Sequence, residues 1–408
     1  MTGPLHGVVV LDLTRILAGP WATQVLADFG AEVIKIEHPR GGDDTRRWGP
    51  PYLEDEAGQA TGESAYYLSA NRGKQSVAID FSREEGQALV RSLAGQADVL
   101  VENFKVGGLT RFGLGAEDML RLNPRLVYVS ISAFGQDGPA ADEPGYDAMI
   151  QAMGGLMSIT GVPDGQPGAG PQKVGVAVAD LMCGMYAVSA ILAALHERTS
   201  SGRGQAIDLA LLDTQVAWLA NQGLNYLVGG VPPCRQGTAH PNIVPYQAFA
   251  TSDGHLMLAV GNDAQFARFC TVAGAPELAT DTRFTTNDRR VENRSALVPA
   301  VTALIGRRTT GEWLDSLRRA QVPCGPINDL AQVFAEPQVR HRGMRLDLPH
   351  PLAGTAPGIR NPVRFARTPI DYGRSPPLLG ADTADVLRTR LGLDAATLAG
   401  LAERGVIA

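Results

Sequence analysis

Over the first 135 residues, short runs rich in β-branched residues alternate with stretches of helical spacing, and this alternation constrains the fold more than any other feature of the chain. HGVVVLDL is followed by AGPWATQVLADFG, whose apolar positions recur three and four apart until Gly30, and then by the strand-like AEVIKIE. KQSVAIDF, SREEGQALVRSLAGQ, ADVLVENF, a helix around GAEDMLRL, and RLVYVSISAF continue the series, with Ser82 and Glu85 spaced as a capping box. Strands that alternate with helices imply βαβ units, hence a parallel sheet covered on both faces. The expected fold class is α/β, a Rossmann-like doubly wound parallel sheet. Ligands in such sheets lie beyond the carboxyl ends of the strands, here LTRILAGP, EHPRGGDDTRRWGPP, ENFKVGG and SAFGQDGP.

From about Asn225 the pattern changes. PYQAFATSDGHLMLAVGN has the spacing of a β-hairpin turning at Ser252-Asp253-Gly254, and a helical stretch follows to about Pro337. The tail carries two strand-like pieces, MRLDLPHP and NPVRFART, and two amphipathic helices. The expected division is a large domain of residues 1–225 and 331–408 and a smaller α+β domain of residues 226–330.

A net charge of −6 and a pI near 5.7 argue against a nucleic-acid or anionic-membrane surface, since both need clustered Lys and Arg. The 4 cysteines are scattered, with no C-x-x-C pair, which fits a reducing cytoplasm better than a zinc or disulfide framework. The N-terminus shows no basic segment or cleavage site of a signal peptide.

The longest apolar run, QKVGVAVADLMCGMYAVSAILAALHER, is long enough to span a bilayer, but it contains Asp180. An aspartate at mid-membrane costs roughly 2.5–3.5 kcal/mol on insertion scales, so a buried core helix is the expected structure. Asp180 then has two readings. It is a cap or backbone-bonded acid at the helix start, or it uses the same position to act as a covalent nucleophile on an activated electrophile such as a thioester.

Other chemistries lack their motifs. G-x-G-x-x-G is absent at the first strand-to-helix turn, NRGKQS does not complete a P-loop, and neither H-E-x-x-H nor G-x-S-x-G occurs. No metal site is evident.

GVVVLDLTRILAGPWATQVLADFGAEVIKIE, GDDTR, ADVLVENF, GYDAM, GVAVADLMCGMYA, SGRGQAIDLALLD, VPCGPIND and PPLLG, in order from Gly7 to Gly380, resemble the class III CoA-transferases, the CaiB/BaiF family. GDDTRRWGPPY, GTAHPNIVPYQAF and FAEPQV are most similar to its succinyl-CoA:dicarboxylate branch. The resemblance implies that Asp180 attacks the donor thioester and forms an acyl-aspartyl anhydride and then an aspartyl-CoA thioester. It implies CoA contacts from Asn103, Phe104 and Arg111, an interlocked homodimer, and a CoA thioester as substrate with no permanently bound cofactor. For a dicarboxylate, the distal carboxylate needs cations or donors, and Arg15, Arg46, Tyr146 and His240 are the candidates, with Arg47 and Asn242 beside them.

Two positions depart from the formyl-CoA/oxalate branch, Leu17 for its glutamine and His38 for its arginine. Two competing readings remain open. One is an α-methylacyl-CoA racemase of the same fold, although its basic histidine is Tyr146 here and a neutral tyrosine is a poor base near pH 7. The other is a non-catalytic acyl-CoA-binding protein.

Overall fold

The computed structural model describes residues 3–408. The chain forms two compact units, the larger made of residues up to Met157, Lys173–Val231 and Arg340–Ala408, the smaller of Ser158–Gln172 and Pro232–Val339. The segment 158–172, which sequence pattern alone grouped with the large domain, belongs to the smaller unit.

In the larger unit six parallel strands form one sheet, in spatial order Lys74–Ala78, Glu32–Glu37, Val9–Asp12, Val99–Glu102, Val127–Ser132 and Ala206–Ala210. Counted along the chain within this sheet, the order is 3-2-1-4-5-6, that of the doubly wound fold. Val10 pairs with Val33 on one side and with Val99 on the other. The direction of winding therefore reverses between Val9–Asp12 and Val99–Glu102, and the crevice beyond their carboxyl ends is where such a sheet binds ligands.

Alternation along the strands separates two cores. Val9, Leu11, Leu13, Ile34, Ile36 and Val77 face one, closed by helices Glu84–Ala94, Thr383–Leu391 and Ala395–Glu403. Val10, Val33, Val99 and Val101 face the other, closed by helices Ala18–Asp28 and Val178–Ser201.

The long helix Val178–Ser201 has a mean hydropathy of 1.9 over its most apolar window and the length to cross a bilayer. In the fold it lays Ala179, Cys183, Ala187, Ile191 and Ala194 as one stripe into the second core. Gly184 lies within that stripe, and a Cβ there would come within 2.6 Å of the Ala18 carbonyl oxygen. The glycine thus lets the two helices meet closely and sets the distance from the long helix to the first strand-to-helix turn.

Several local expectations change. The Ser82 box does not form, because the helix starts at Glu84 after Arg83 and the Ser82 hydroxyl donates instead to Asp80 at 2.5 Å. NPVRFART is not a strand; MRLDLPHP pairs with Gly354–Ile359 in a hairpin. Strand Ala206–Ala210, which completes the main sheet, reads exposed and half-buried in alternation and so resembles an edge.

The smaller unit carries the expected hairpin, Tyr246–Ala250 against His255–Ala259, with a third antiparallel strand at Cys324–Pro326. Its core gathers Phe249, Leu256, Leu258, Phe266, Phe269 and Trp313.

Candidate active site

The first strand ends on Asp12, which is fully buried. Burial alone would raise its pKa, but the ammonium groups of Lys74 and Lys35 and hydrogen bonds from Thr14 and Thr23 outweigh it and hold the carboxyl well below the usual range. Beyond Asp12 the chain makes a tight turn before helix Ala18–Asp28. The Asn103 amide clasps Arg15 from the next strand, accepting from its N–H at 2.9 Å and donating to its carbonyl at 2.7 Å. Ile16 follows with φ of 71°, a left-handed conformation unusual for a β-branched residue.

Asp180 is the third residue of the long helix and 9% exposed. It does not cap the helix. Ala177 occupies the N-cap position without a side-chain bond, and Asp147 from helix Asp147–Met153 does the capping instead. Asp147 Oδ1 accepts from the N–H of Ala179 at 2.8 Å and from that of Asp180 at 3.5 Å. Its Oδ2 accepts from Gln151 Nε2 at 2.7 Å, while Gln151 Oε1 accepts from the Val174 N–H at 2.9 Å. Asp147 and Gln151 therefore fix both ends of the GVAVA segment that leads to Asp180.

Burial, and after it the Asp147 carboxylate, pushes the Asp180 carboxyl up to about 7. The N–H groups of the first helical turn favour the ionised form, yet desolvation is the larger effect. Tyr66 is held up at about 12, chiefly by burial and then by Asp180 and Asp147, so its phenol stays protonated near neutrality.

Asp180 opens into a cavity of about 220 Å³ lined also by Arg15–Ala18, Asn103–Val106, Ile131–Ala133 and Tyr146. The lining comes from the carboxyl ends of the strands at the winding reversal. A second cavity of about 740 Å³ shares Arg15, Phe104, Lys105 and Val106 with the first and adds His38, Phe81, Arg111 and Phe112. Phe81 makes edge contacts with Phe104 and Phe112, with ring centroids at 5.8 and 5.9 Å. Arg15 lies over Phe104 at 5.2 Å and Arg111 over Phe112 at 4.5 Å. One small, carboxylate-bearing chamber thus adjoins a larger one with aromatic walls and cations, a shape and polarity within the range of ligand sites.

Of the residues singled out from sequence, Asp180, Asn103, Phe104, Arg15 and Tyr146 line the first cavity, and Arg111 lines the second. Tyr146 is 67% exposed and precedes the helix that carries Asp147. Arg46 is a correction. Its guanidinium is buried, forms a two-pronged pair with Glu37 at 2.8 Å on both arms, and donates to Tyr67 and to the Pro377 carbonyl. Its donors are committed to the fold, and it lies outside both cavities. His240 belongs to the smaller unit, where it packs against Tyr246 at 5.3 Å. Asp147 was missed because an aspartate at the start of a helix reads as a cap of that helix, and nothing local shows that it caps another.

The model of CoA-transferase family III matches residues 5–383. The succinate–glutarate CoA-transferase of Agrobacterium fabrum is 50% identical over 384 residues, covering 94% of this chain and 95% of the relative. The succinyl-CoA:glutarate CoA-transferase of Mus musculus is 44% identical, covering 99% and 90%. Among solved structures, a CaiB/BaiF family protein from Brucella suis superposes with a TM-score of 0.83 at 47% identity, covering 96% of this chain and all of that one.

Proposed function

The chain belongs to CoA-transferase family III, and we propose that this CoA-transferase moves CoA from succinyl-CoA to glutarate or a related short dicarboxylate, with Asp180 as covalent nucleophile. The observation that carries this reading is a buried carboxylate, at the first turn of the long helix, facing a small chamber that adjoins a larger one suited to a nucleotide. The relatives named for succinate and glutarate support the substrate pair.

In this mechanism Asp180 attacks the thioester carbonyl carbon and the C–S bond breaks, giving an acyl-aspartyl anhydride and CoA thiolate. The thiolate attacks the aspartyl carbonyl and releases succinate, leaving an aspartyl-CoA thioester. The acceptor carboxylate then attacks that carbonyl and expels the thiolate, which takes the acceptor acyl group and restores Asp180. Each step trades one activated acyl bond for another, so a hard exchange becomes a series of easier ones.

A site that raises the carboxylate to about 7 keeps it weakly solvated and reactive while leaving a large ionised fraction at neutral pH. Phe104 and Phe81 offer faces for the adenine, Arg111 and Lys105 offer charge for the phosphates, and Arg15, at both cavities, is placed for the distal carboxylate. Tyr146 is a second donor for that carboxylate.

The protein is incubated with succinyl-CoA and glutarate and the CoA products are weighed by mass spectrometry, then the assay is repeated with Asp180→Ala. Loss of glutaryl-CoA with retained CoA-ester binding is expected; transfer at the wild-type rate would remove Asp180 from the mechanism. Hydrogen exchange at the α-carbon of a 2-methylacyl-CoA without acceptor would favour the racemase. A panel of dicarboxylates with one donor ranks the acceptors.

A homodimer is also proposed. Leu227, Val228 and Val231 of the larger unit are 73%, 84% and 73% exposed, an apolar cluster that a second copy would cover. Light scattering at a mass of one chain would refute it. The free cysteines, two of them buried, fit the proposed cytoplasmic location.

A further inference from the structure

The strongest unexplained feature is an ion pair packed against the turn that joins the first strand to helix Ala18–Asp28: Lys35 lies in strand Glu32–Glu37, Asp43 caps the short helix Asp44–Arg47, and both stand in the wall of the larger cavity with their side chains buried. Lys35 and Asp43 are both almost wholly buried and pair at 3.0 Å. Neither is spent on the other alone. Lys35 Nζ also donates to the Thr14 carbonyl at 2.8 Å, and Asp43 Oδ1 accepts from the Ile16 N–H at 3.2 Å. Asp43 is itself anchored, since its Oδ1 accepts from the Thr45 N–H and hydroxyl at 3.0 and 2.8 Å and its own N–H donates to Glu37 at 2.9 Å.

Arg15 lies between these two contact points, and directly after the second the chain takes the left-handed conformation of Ile16. A bulky residue in that region costs on the order of 1–3 kcal/mol and persists only where its surroundings over-determine it. At Gly19, the second residue of helix Ala18–Asp28, a Cβ would come within 2.3 Å of Thr14 Cγ2, so the turn is also folded back tightly on itself. Ile16 and its neighbours Arg15, Leu17 and Ala18 line the same cavity as Asp180.

We propose that the Lys35–Asp43 ion pair is a positioning element of the transfer reaction: through the Thr14 carbonyl and the Ile16 amide it holds the strained turn, and so the cavity wall that orients the thioester toward Asp180. The inference rests on the reading of Asp180 as nucleophile. A buried pair is a poor source of stability, because desolvation offsets its attraction, so its cost is better understood as the cost of geometry. Lys35 stays charged because Asp43, Asp12 and Glu37 outweigh its burial, and Asp43 stays ionised because Lys35 and the Thr45 bonds outweigh its own.

Asp43→Asn keeps the shape and one acceptor oxygen but removes the largest of the charges that hold Lys35. Steady-state kinetics with succinyl-CoA and glutarate, run well below the melting temperature, should show kcat reduced by about tenfold to a hundredfold, the scale of a small misplacement, with KM for succinyl-CoA changed less than about threefold. The rate at which the Asp180 CoA adduct appears by intact mass should fall in parallel. A lowered melting temperature with unchanged kcat and adduct rate would overturn the proposal and leave the pair purely structural. If Asp43→Asn does not fold, Asp43→Glu keeps the charge and displaces it by one methylene: a fall in kcat of similar size with KM for succinyl-CoA little changed supports the proposal, and an unchanged kcat refutes it. Failure of the nucleophile reading is seen separately, as transfer that survives Asp180→Ala.

Discussion

Replacing Asp180 by Asn should abolish transfer and at the same time make the folded protein more stable at alkaline pH. An aspartate with a folded-state pKa of about 7 against 3.8 unfolded binds its proton more tightly in the native state. Its ionisation therefore opposes folding. The cost is nearly absent below pH 4, grows as pH rises from 4 to 7, and is complete above 7; about 3 pK units correspond to about 4 kcal/mol. The asparagine is neutral throughout, so its advantage should follow the same course, reduced somewhat by the partners its amide must find. At roughly 2 °C per kcal/mol for a unit of this size, the melting temperature should rise by about 4–8 °C at pH 8 and by less than half as much at pH 5. Calorimetry of both proteins from pH 5 to 8.5 at constant ionic strength tests this, read from the transition of the unit that carries Asp180. An equal displacement at both ends of the range, or a variant less stable at pH 8, would refute the claim that Asp180 is held in an unfavourable ionised state.

The same pKa sets the activity profile: if Asp180 must be ionised to attack, kcat/KM should fall by about tenfold from pH 8 to pH 6. Asp147→Asn removes the like charge, so that acid limb should move to lower pH without disappearing, because burial is the larger cause; an unmoved limb would show that Asp147 acts only as a helix cap. Phe104→Ala should raise KM for CoA esters by about tenfold, the scale of one lost aromatic–base stack, and Arg111→Ala should raise it in a salt-dependent way; equal KM values would remove the adenine and phosphates from the larger cavity. Arg46→Met should destabilise the fold by about 3 kcal/mol by removing the two-pronged partner of buried Glu37, with no selective effect on the KM of the acceptor; a selective rise would restore Arg46 as a substrate contact.

Much of the fold was legible because the strands of the main sheet are buried on both faces and read as apolar runs between helices. The exceptions have a common cause. Ala206–Ala210 pairs on one side only and its alternating exposure hides it, and Gly354–Ile359 becomes a strand only because Arg345–His350 lies beside it. Pairing with another segment, far along the chain for Ala206–Ala210 and next to it for Gly354–Ile359, leaves no mark in the strand's own residues.

The site divides in the same way. Sequence by itself determined that the long apolar run carries one acid at its start, that Gly-, Arg- and Asn-rich turns follow the strands, and that these match one family. Only the tertiary structure decided what each polar residue does. Arg46 and Asn103 look alike in sequence, donors at strand ends, yet one is consumed by Glu37 and the other clasps the Arg15 peptide at the mouth of the cavity. Asp180 looked like a cap, and the cap proved to be Asp147, 33 residues earlier. A charge acts over a few ångströms of low-dielectric space, and those distances are set by packing rather than by position along the chain.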